Sequence, residues 1–159
     1  MGERYLKSVR LLAECMQGFE RLSNAWTSCS GLTHAQFDIV ATLGNTAGMS
    51  YKELGQRTLI TKGTLTGVIE RLEQKGLVLR ERSSGDKRSF FVRLTAAGDA
   101  VFADVFPKVT AQGAALFASW SEADHAALEA PLRQLRRALD DASTRAGLPP
   151  TISTTKDLS

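Results

Sequence analysis

The sequence contains few of the residues that build metal sites, disulfide frameworks and membrane-spanning helices. Its 159 residues include only two cysteines and two histidines. His34 and His125 lie far apart and have no cysteine or carboxylate at the spacing of a metal-binding motif. There is also no run of about 18 apolar residues, the length that a membrane-spanning helix needs. We therefore expect a protein without metal, cofactor or membrane contact.

Motifs of the common enzyme classes are missing as well. The sequence has no glycine-rich phosphate-binding loop and no G-x-S-x-G motif of a nucleophilic serine, so we predict that the protein is not an enzyme. Residues 1–7, MGERYLK, lack the apolar segment of a secretory signal. Together with the low cysteine count, this favours the reducing environment of the cytoplasm.

Positive charge is concentrated in one part of the chain. Residues 50–93 carry ten lysines and arginines against five acidic residues, a net charge of +5, whereas the whole chain carries +3. The remainder therefore carries −2. A basic segment in a nearly neutral chain is typical of a module that neutralises phosphate groups. A charged surface that contacts only solvent would have the same composition.

The basic segment contains a clear helical pattern. Four apolar residues recur at the spacing of one helical face: Leu65, Val68, Ile69 and Leu72. This spacing predicts a helix whose apolar face is buried. Thr61 is placed to cap the start of the helix, and Gly76 to end it.

The segments after this helix predict a β-hairpin. Residues 77–82 and 89–94 are strand-like, and they flank a polar, basic tip at residues 83–88. A short capped helix, a second helix and a basic hairpin follow one another in a winged helix-turn-helix. Such a unit offers a helix to the DNA major groove and a basic loop to the backbone or minor groove beside it.

The helix face opposite the apolar stripe is left for a partner. At about 100° per residue, this face consists of Gly63, Gly67, Glu70 and Gln74. Each glycine costs about 1 kcal/mol relative to alanine inside a helix. Close approach of the helix backbone to a DNA groove would offset that cost. Close packing against another helix is the alternative explanation.

Apolar periodicity and capping residues divide the chain into four parts. These are an N-terminal helix at residues 1–31, the winged unit at 32–95, C-terminal helices at 96–147 and a disordered polar tail at 148–159. Ser50 and Glu53 are expected to form a capping box, and Thr33 and Ser121 are expected to cap the helices that follow them. Pro107 is expected to kink or break the helix that contains it. The predicted fold is mainly α-helical, with a small β-hairpin wing.

The terminal helices carry broader apolar faces than the winged unit can cover. We expect these faces to pack on each other and on a second copy of the chain, so that the terminal helices form a dimerisation region. In a two-fold dimer, the recognition helices would lie about 34 Å apart, one turn of DNA, and would require a pseudo-palindromic site.

Several motifs together resemble the MarR family of bacterial transcription regulators. They are LTHAQF at residues 32–37, TLT at 64–66, KGLV at 75–78, DKRS at 86–89 and LTAAG at 94–98. The likeness covers roughly residues 5–145. It implies a homodimeric winged-helix regulator, a repressor of the MarR type, that binds double-stranded operator DNA and is released by a small-molecule effector.

The resemblance also implies roles for the tip of the wing. Arg88 would enter the minor groove, and Asp86 would orient its guanidinium; a salt bridge within the turn, without a role in DNA binding, is the alternative. Arginine suits narrow minor grooves because its planar, weakly hydrated cation matches their negative potential. Lys87 and Ser89 would add contacts to the DNA backbone.

Other DNA contacts are expected from the helices of the winged unit. The candidates at the start of the recognition helix are Thr61, Lys62, Thr64 and Thr66. Lysine can donate to guanine, and threonine can contact a base or a thymine methyl group. Arg71 would bind phosphate, and so would Ser50 with the free amides at the start of the short helix.

The family also implies an input signal. Its commoner effector is a small aromatic or phenolic acid bound between the dimer helices and the winged unit, and the candidate lining residues are Arg21, Trp26, His34 and Phe37. Some members sense peroxides through a cysteine of the first helix, so redox sensing by Cys15 or Cys29 is an alternative. Non-specific architectural DNA binding and a winged helix that contacts only protein are two further alternatives.

Overall fold

The computed structural model describes residues 3–58, 60, 62–82 and 90–148. The described helices are α1 (Arg4–Thr27), α2 (His34–Leu43), α3 (Tyr51–Arg57), α4 (Lys62–Gln74), α5 (Ala96–Leu116) and α6 (Glu122–Arg145). The described strands are β1 (Met49–Ser50), β2 (Val78–Arg82) and β3 (Phe90–Leu94). The fold is mainly α-helical with a small antiparallel sheet, which confirms the predicted class.

The hydrophobic core is built by the winged unit. All fourteen residues of its main buried cluster lie between Leu32 and Leu94. The apolar face of α4 contributes four of them, Leu65, Val68, Ile69 and Leu72, each at most 5% exposed. Burying one such side chain stabilises a fold by roughly 1.5–3 kcal/mol. The prediction that this face of α4 is buried is therefore confirmed, and the opposite face is directed outward.

The sheet has one strand more than the predicted hairpin. Its order is β1-β3-β2, and both pairs are antiparallel. The additional strand β1 has two residues, and it pairs Met49 with Val92 and Ser50 with Phe91. Two residues are too few to show the alternation that predicts a strand. The strand nevertheless matters, because it connects β3 of the wing to the start of α3.

Capping residues mark the helix starts. Thr33 accepts from the amide of Gln36 at 3.2 Å, and the Gln36 side chain accepts from the Thr33 amide at 3.1 Å. Ser121 forms the same reciprocal pair with Asp124 at the start of α6. The predicted caps at these two starts are confirmed, and the reciprocal bonds fasten the first turn of each helix.

The predicted capping box of α3 is only half correct. Ser50 accepts from the amide of Glu53 at 3.2 Å, as expected. The Glu53 carboxylate does not return a bond to Ser50 and instead accepts from Arg57, one helical turn further on, at 2.9 Å. An ion pair at i, i+4 on the exposed side of the helix thus competes successfully with the capping bond.

Of the kink or break predicted at Pro107, the break is wrong, because α5 is one helix from Ala96 to Leu116 with Pro107 inside it; the kink stays a prediction. Val105 and Val109, one turn apart on either side of the proline, are 2% and 8% exposed. Their burial stabilises the helical arrangement and offsets the hydrogen bond that proline removes. The start of α5 is also held tightly, since a Cβ at Gly98 would collide with the carbonyl oxygen of Leu77.

The described chain divides into two compact units, residues 1–112 and 113–159, and α5 crosses the boundary. The second unit consists of the end of α5, the following turn and α6. Phe117 and Trp120 of that turn pack with His125 of α6, with ring centroids 5.1–5.7 Å apart. Among the described residues, no helix combines the length and the apolar character needed to cross a membrane.

Candidate nucleic-acid interface

The side of α4 that faces away from the core forms an exposed surface. We define the outward face as Gly63, Gly67, Glu70 and Gln74; all four are exposed except Gly67, which is half-buried. Thr64, Thr66 and Arg71 flank this face and are exposed as well. The buried stripe fixes the rotation of the helix, so these residues are the ones that α4 can offer to a groove.

The two glycines of the outward face have open space above them. A Cβ placed on Gly63 or Gly67 would meet nothing within 4 Å among the described residues. Close packing against another part of the described chain therefore does not explain why glycine occupies these positions. The helix backbone itself is accessible here, which lets another molecule approach it closely.

The candidate contacts on α4 have different surroundings. Thr66 and Arg71 are exposed, and Arg71 takes part in none of the ion pairs between described residues. Thr64 is exposed on the first turn of the helix. Lys62 is the first residue of α4, but its side chain lies outside the described part of the structure. Thr61 lies outside the described residues, and its role stays a prediction.

The wing tip also lies outside the described residues. This applies to Asp86, Lys87, Arg88 and Ser89, so their DNA contacts stay predictions. Ser50 is described: it ends β1, is half-buried, and its hydroxyl accepts from the Glu53 amide as the cap of α3. The hydroxyl is therefore already used inside the protein, although its own hydrogen can still be donated.

A tight turn brings the wing back along α4. Gly76 has φ +71°, in the left-handed region that glycine adopts without strain. Around it, the amide of Gly76 donates to the backbone carbonyl of Glu73 at 2.8 Å, and the amide of Leu77 donates to the backbone carbonyl of Leu72 at 3.0 Å. These are the two bonds of a Schellman motif. Strand β2 consequently starts next to the last turns of α4.

Arg80 on β2 uses this proximity to join α4 to both strands of the wing. Its guanidinium lies 2.6 Å from a carboxylate oxygen of Glu73 and 3.5 Å from Glu70, and its carbon lies 5.5 Å from the ring centroid of Phe90. The hydrogen bond from Arg80 lowers the pKa of Glu73 below its ordinary value. The same bond raises the pKa of Arg80, so both groups are charged at neutral pH.

This cluster was not predicted from the sequence. Glu70 and Glu73 are spaced to share one side of a helix, which was a usable signal. Their partner lies across a turn, and the sequence does not show how far β2 folds back. A second link, from Lys75 directly after α4, was missed for the same reason: its ammonium donates to the carbonyl of Gly31 at 2.5 Å and to the Gln36 side chain at 3.1 Å.

A cavity of about 330 Å³ lies between α1, α2 and the start of α4. Its lining consists of Met16, Gln17, Phe19, Glu20, His34, Ala35, Asp38, Ile60 and Thr64. The His34 ring is fixed by Ser23, whose hydroxyl lies 2.6 Å from Nδ1. Its Nδ1 contact leaves Nε2 as the ring nitrogen available to another partner.

The four predicted effector residues occupy different places. His34 lines the cavity, whereas Arg21 is exposed on α1 and is not part of the lining. Trp26 packs edge-to-face on Phe19, with centroids 6.3 Å apart, and so stands behind the lining. Phe37 packs against the hydrophobic core. Their contacts with an effector stay predictions.

The two cysteines are both free and exposed. Cys29 lies just after α1, with its sulfur 3.9 Å from the carbonyl oxygen of Trp26. Within the described ranges, no group of three or more histidines, cysteines and acidic residues is placed to hold a metal ion.

Sequence comparison assigns the winged unit to a known family. Residues 32–90 match the model of the MarR family. The transcriptional regulator MhqR of Bacillus subtilis is 28% identical over 112 residues, which cover 70% of this chain and 77% of MhqR. The homoprotocatechuate degradative operon repressor of Escherichia coli is 37% identical over 71 residues, or 45% of this chain. That alignment spans about half of the repressor, 48% of its length.

Solved structures share the fold over most of the chain. A mutant MarR of Escherichia coli, complexed with operator DNA, has a TM-score of 0.74 and 28% identity, and the match covers 84% of this chain and 96% of that one. BpsR of Bordetella bronchiseptica, whose DNA binding is regulated by 6-hydroxynicotinic acid, has a TM-score of 0.70 and 26% identity, covering 81% and 98%.

The fold and the exposed α4 surface define a winged helix-turn-helix protein of the transcription regulator class. The matched residues 32–90 and these relatives make the likeness specific: the chain is similar to transcriptional regulators of the MarR family, and its residues 32–90 match the model of that family.

Proposed function

We propose that the chain is a transcriptional repressor that binds a pseudo-palindromic DNA operator as a homodimer. The observation that carries the proposal is the outward face of α4, where a DNA groove can reach the helix backbone at Gly63 and Gly67. Thr66 and Arg71 beside it supply a base-contacting hydroxyl and a phosphate-binding cation. The wing tip, with Arg88, would enter the adjacent minor groove.

Exposed apolar faces on the terminal helices support the homodimer. On α6, four leucines follow one another at spacings of four, three and four residues, and each is 40–49% exposed: Leu128, Leu132, Leu135 and Leu139. On α1, Tyr5 and Val9 are 63% and 57% exposed. A second copy of the chain would cover these faces, and its two-fold axis would set the recognition helices about 34 Å apart.

We propose a small aromatic acid in the cavity as the effector. BpsR, with 26% identity, responds to such a molecule. Thr64 belongs both to the lining of the cavity and to α4, so a ligand in the cavity would contact the helix that reads DNA. A ligand that prefers the arrangement without DNA shifts the population towards it, by no more than its difference in affinity for the two states.

The main test combines operator selection with one substitution. Selection from random duplex DNA is expected to yield a two-fold motif. Gly67→Ala should then raise the free energy of unfolding by about 1 kcal/mol and lower operator affinity, because its methyl group occupies the space that the groove needs. Gly113→Ala is the matched control, since a Cβ at Gly113 in α5 also meets nothing within 4 Å.

The outcome separates the proposal from its alternatives. Gly113→Ala is expected to stabilise the helix without changing operator affinity. If Gly67→Ala binds the operator as tightly as the wild type, α4 does not approach the groove as proposed. Equal affinity for the selected motif and for random duplex at fixed salt would indicate an architectural DNA-binding protein instead.

The effector proposal has its own test. Titration with 6-hydroxynicotinic acid as the probe is expected to weaken operator binding by the wild type. His34→Leu should reduce this response without changing operator affinity in the absence of the probe. An unchanged operator affinity at saturating probe in both proteins would contradict the choice of an aromatic acid.

A further inference from the structure

Glu70 is an acidic side chain at the centre of a surface that we assign to DNA. It lies on the outward face of α4, between Gly67 and Gln74, and its side chain is 50% exposed. A carboxylate in this place is repelled by the phosphates of the groove. An acid at such a position is favourable for binding only if it gains a specific hydrogen bond from the DNA bases.

Arg80 orients this carboxylate. The guanidinium is anchored by Glu73, at 2.6–2.8 Å, and by the ring of Phe90. From this fixed position, Nη1 reaches one oxygen of Glu70 at 3.5 Å. The contact is long, so it offsets the negative charge of Glu70 and limits its rotamers while leaving most of its acceptor positions available.

The neighbouring glycines bring the carboxylate within reach of the bases. Gly67 precedes Glu70 by three residues and Gly63 precedes it by seven, so the three lie on the same side of the helix. With no side chain at the two glycines, the helix can enter the groove deeply, and Glu70 is then the first long side chain to meet the base edges. The partner that suits a carboxylate there is the exocyclic amino group of cytosine, which donates into the major groove.

We propose that Glu70 is a specificity-determining residue that accepts a hydrogen bond from the N4 amino group of a cytosine, and that Arg80 is the residue that positions it. The inference rests on the proposed function, since it requires that α4 enters the major groove. It adds to that function one identified base in each half-site and the residue that reads it.

The experiment is the selection of operators from random DNA by the full chain and by Glu70→Gln. The wild type is expected to select a C·G pair at one fixed position in each half-site. Glutamine donates and accepts, and it pairs with adenine N6 and N7. Glu70→Gln should therefore change the selected base from cytosine to adenine at that position alone, with a preference changed by roughly five- to a hundredfold.

Two further variants distinguish a change in base recognition from a loss of the folded structure. Glu70→Ala should lose the preference at the same position without gaining a new one. Glu129→Gln is the matched control, because it removes an exposed acid of α6 that is paired with Arg133 and leaves the outward face and Arg80 unchanged; it should leave the cytosine preferred. Thermal unfolding of each variant shows whether it is folded, since Glu70 contributes nothing to the buried core.

Three results would overturn the inference. The first is a Glu70→Gln motif identical to that of the wild type. The second is the same base change in Glu129→Gln, which would show that the change does not arise from Glu70. The third is a wild-type motif without cytosine in the major-groove positions that α4 reads. A wild type that selects no motif would overturn the proposed function together with this inference, whereas the first two results leave the proposed function intact.

Discussion

The winged unit and helix α6 show two different ways of stabilising a helix. In the winged unit, α4 contributes four apolar residues to a core whose members lie between Leu32 and Leu94 in the sequence. In α6, the described structure has no buried residue over its whole length, Glu122–Arg145. The comparison shows that α4 is stabilised by its own chain, whereas α6 has an apolar face that its own chain leaves exposed.

Local interactions support α6 without a covering partner. Its start is fixed by the capping box of Ser121 and Asp124, and Glu129 and Arg133 form an ion pair one turn apart. Such contacts contribute about 1 kcal/mol for a cap and about 0.5 kcal/mol for an exposed pair. Four leucines, each 40–49% exposed in the single chain, would add roughly 0.7–1.5 kcal/mol each when a second copy buries the rest of their surface. Stability of the two regions should therefore depend differently on protein concentration.

The largest expected effect comes from the core of the winged unit. Ile69→Ala removes most of a side chain that is 0% exposed and should lower the free energy of unfolding by about 2–5 kcal/mol. Chemical denaturation measures this loss. Leu139→Ala, on α6 at 49% exposed, is the comparison and should cost less than about 1 kcal/mol in dilute protein. Equal losses of unfolding free energy for the two variants at low protein concentration would mean that the two regions are stabilised in the same way.

A charge on the apolar face of α6 should prevent dimerisation. Leu132→Glu places a carboxylate among the exposed leucines, and its burial without a partner costs several kcal/mol. Sedimentation equilibrium is expected to show a monomer, with operator affinity lowered at least about tenfold because only one half-site is held at a time. Gln134→Glu adds the same charge on another side of α6 and should leave the dimer intact. A dimeric Leu132→Glu would contradict the role of this face.

Removal of the two capping boxes should have smaller and separable effects. Thr33→Ala and Ser121→Ala each remove a side chain that bonds the first turn of its helix, at a cost of about 1 kcal/mol. For Thr33 we expect a shift of the whole cooperative unfolding transition. For Ser121 we expect a loss of helical circular dichroism that does not shift the unfolding of the winged unit. The same shift of the whole unfolding transition in both variants would show that α6 unfolds together with the core.

The smallest expected effect is on the free energy of unfolding at acidic pH. Because Arg80 lowers the pKa of Glu73 below its ordinary value of 4.5, the ionised carboxylate stabilises the folded state above that value. The contribution is lost as the pH falls through the lower pKa of the folded state. The difference in unfolding free energy between wild type and Glu73→Gln should therefore shrink below about pH 4.5. A difference independent of pH would contradict the ion pair as its source.

Regular patterns predicted the recognition helix. Leu65 and Val68, and Ile69 and Leu72, are pairs that a helix places on one side, and no other arrangement of this segment buries them together. The outward face followed directly from that assignment, since it is what the buried stripe leaves. Caps such as Thr33 and Ser121 were also visible, because a capping bond joins residues only three positions apart.

Interactions between distant parts of the chain were not visible in the same way. Strand β1 forms because Met49 pairs with Val92 on β3. Nothing within the two residues of β1 indicates that partner. Arg80 meets Glu73 only because the turn at Gly76 folds β2 back onto α4. Pro107 shows the reverse case: a strong local signal for a break is overcome by the burial of its neighbours Val105 and Val109.

The link at Lys75 has a mechanical consequence. One ammonium group bonds the carbonyl at Gly31, where α1 has just ended, and the side chain of Gln36 in the first turn of α2. The last turn of the recognition helix is thereby fastened to the corner between two other helices. If that corner turns, either the recognition helix turns with it or an acceptor loses its donor. A single side chain thus couples the position of that corner to the end of α4.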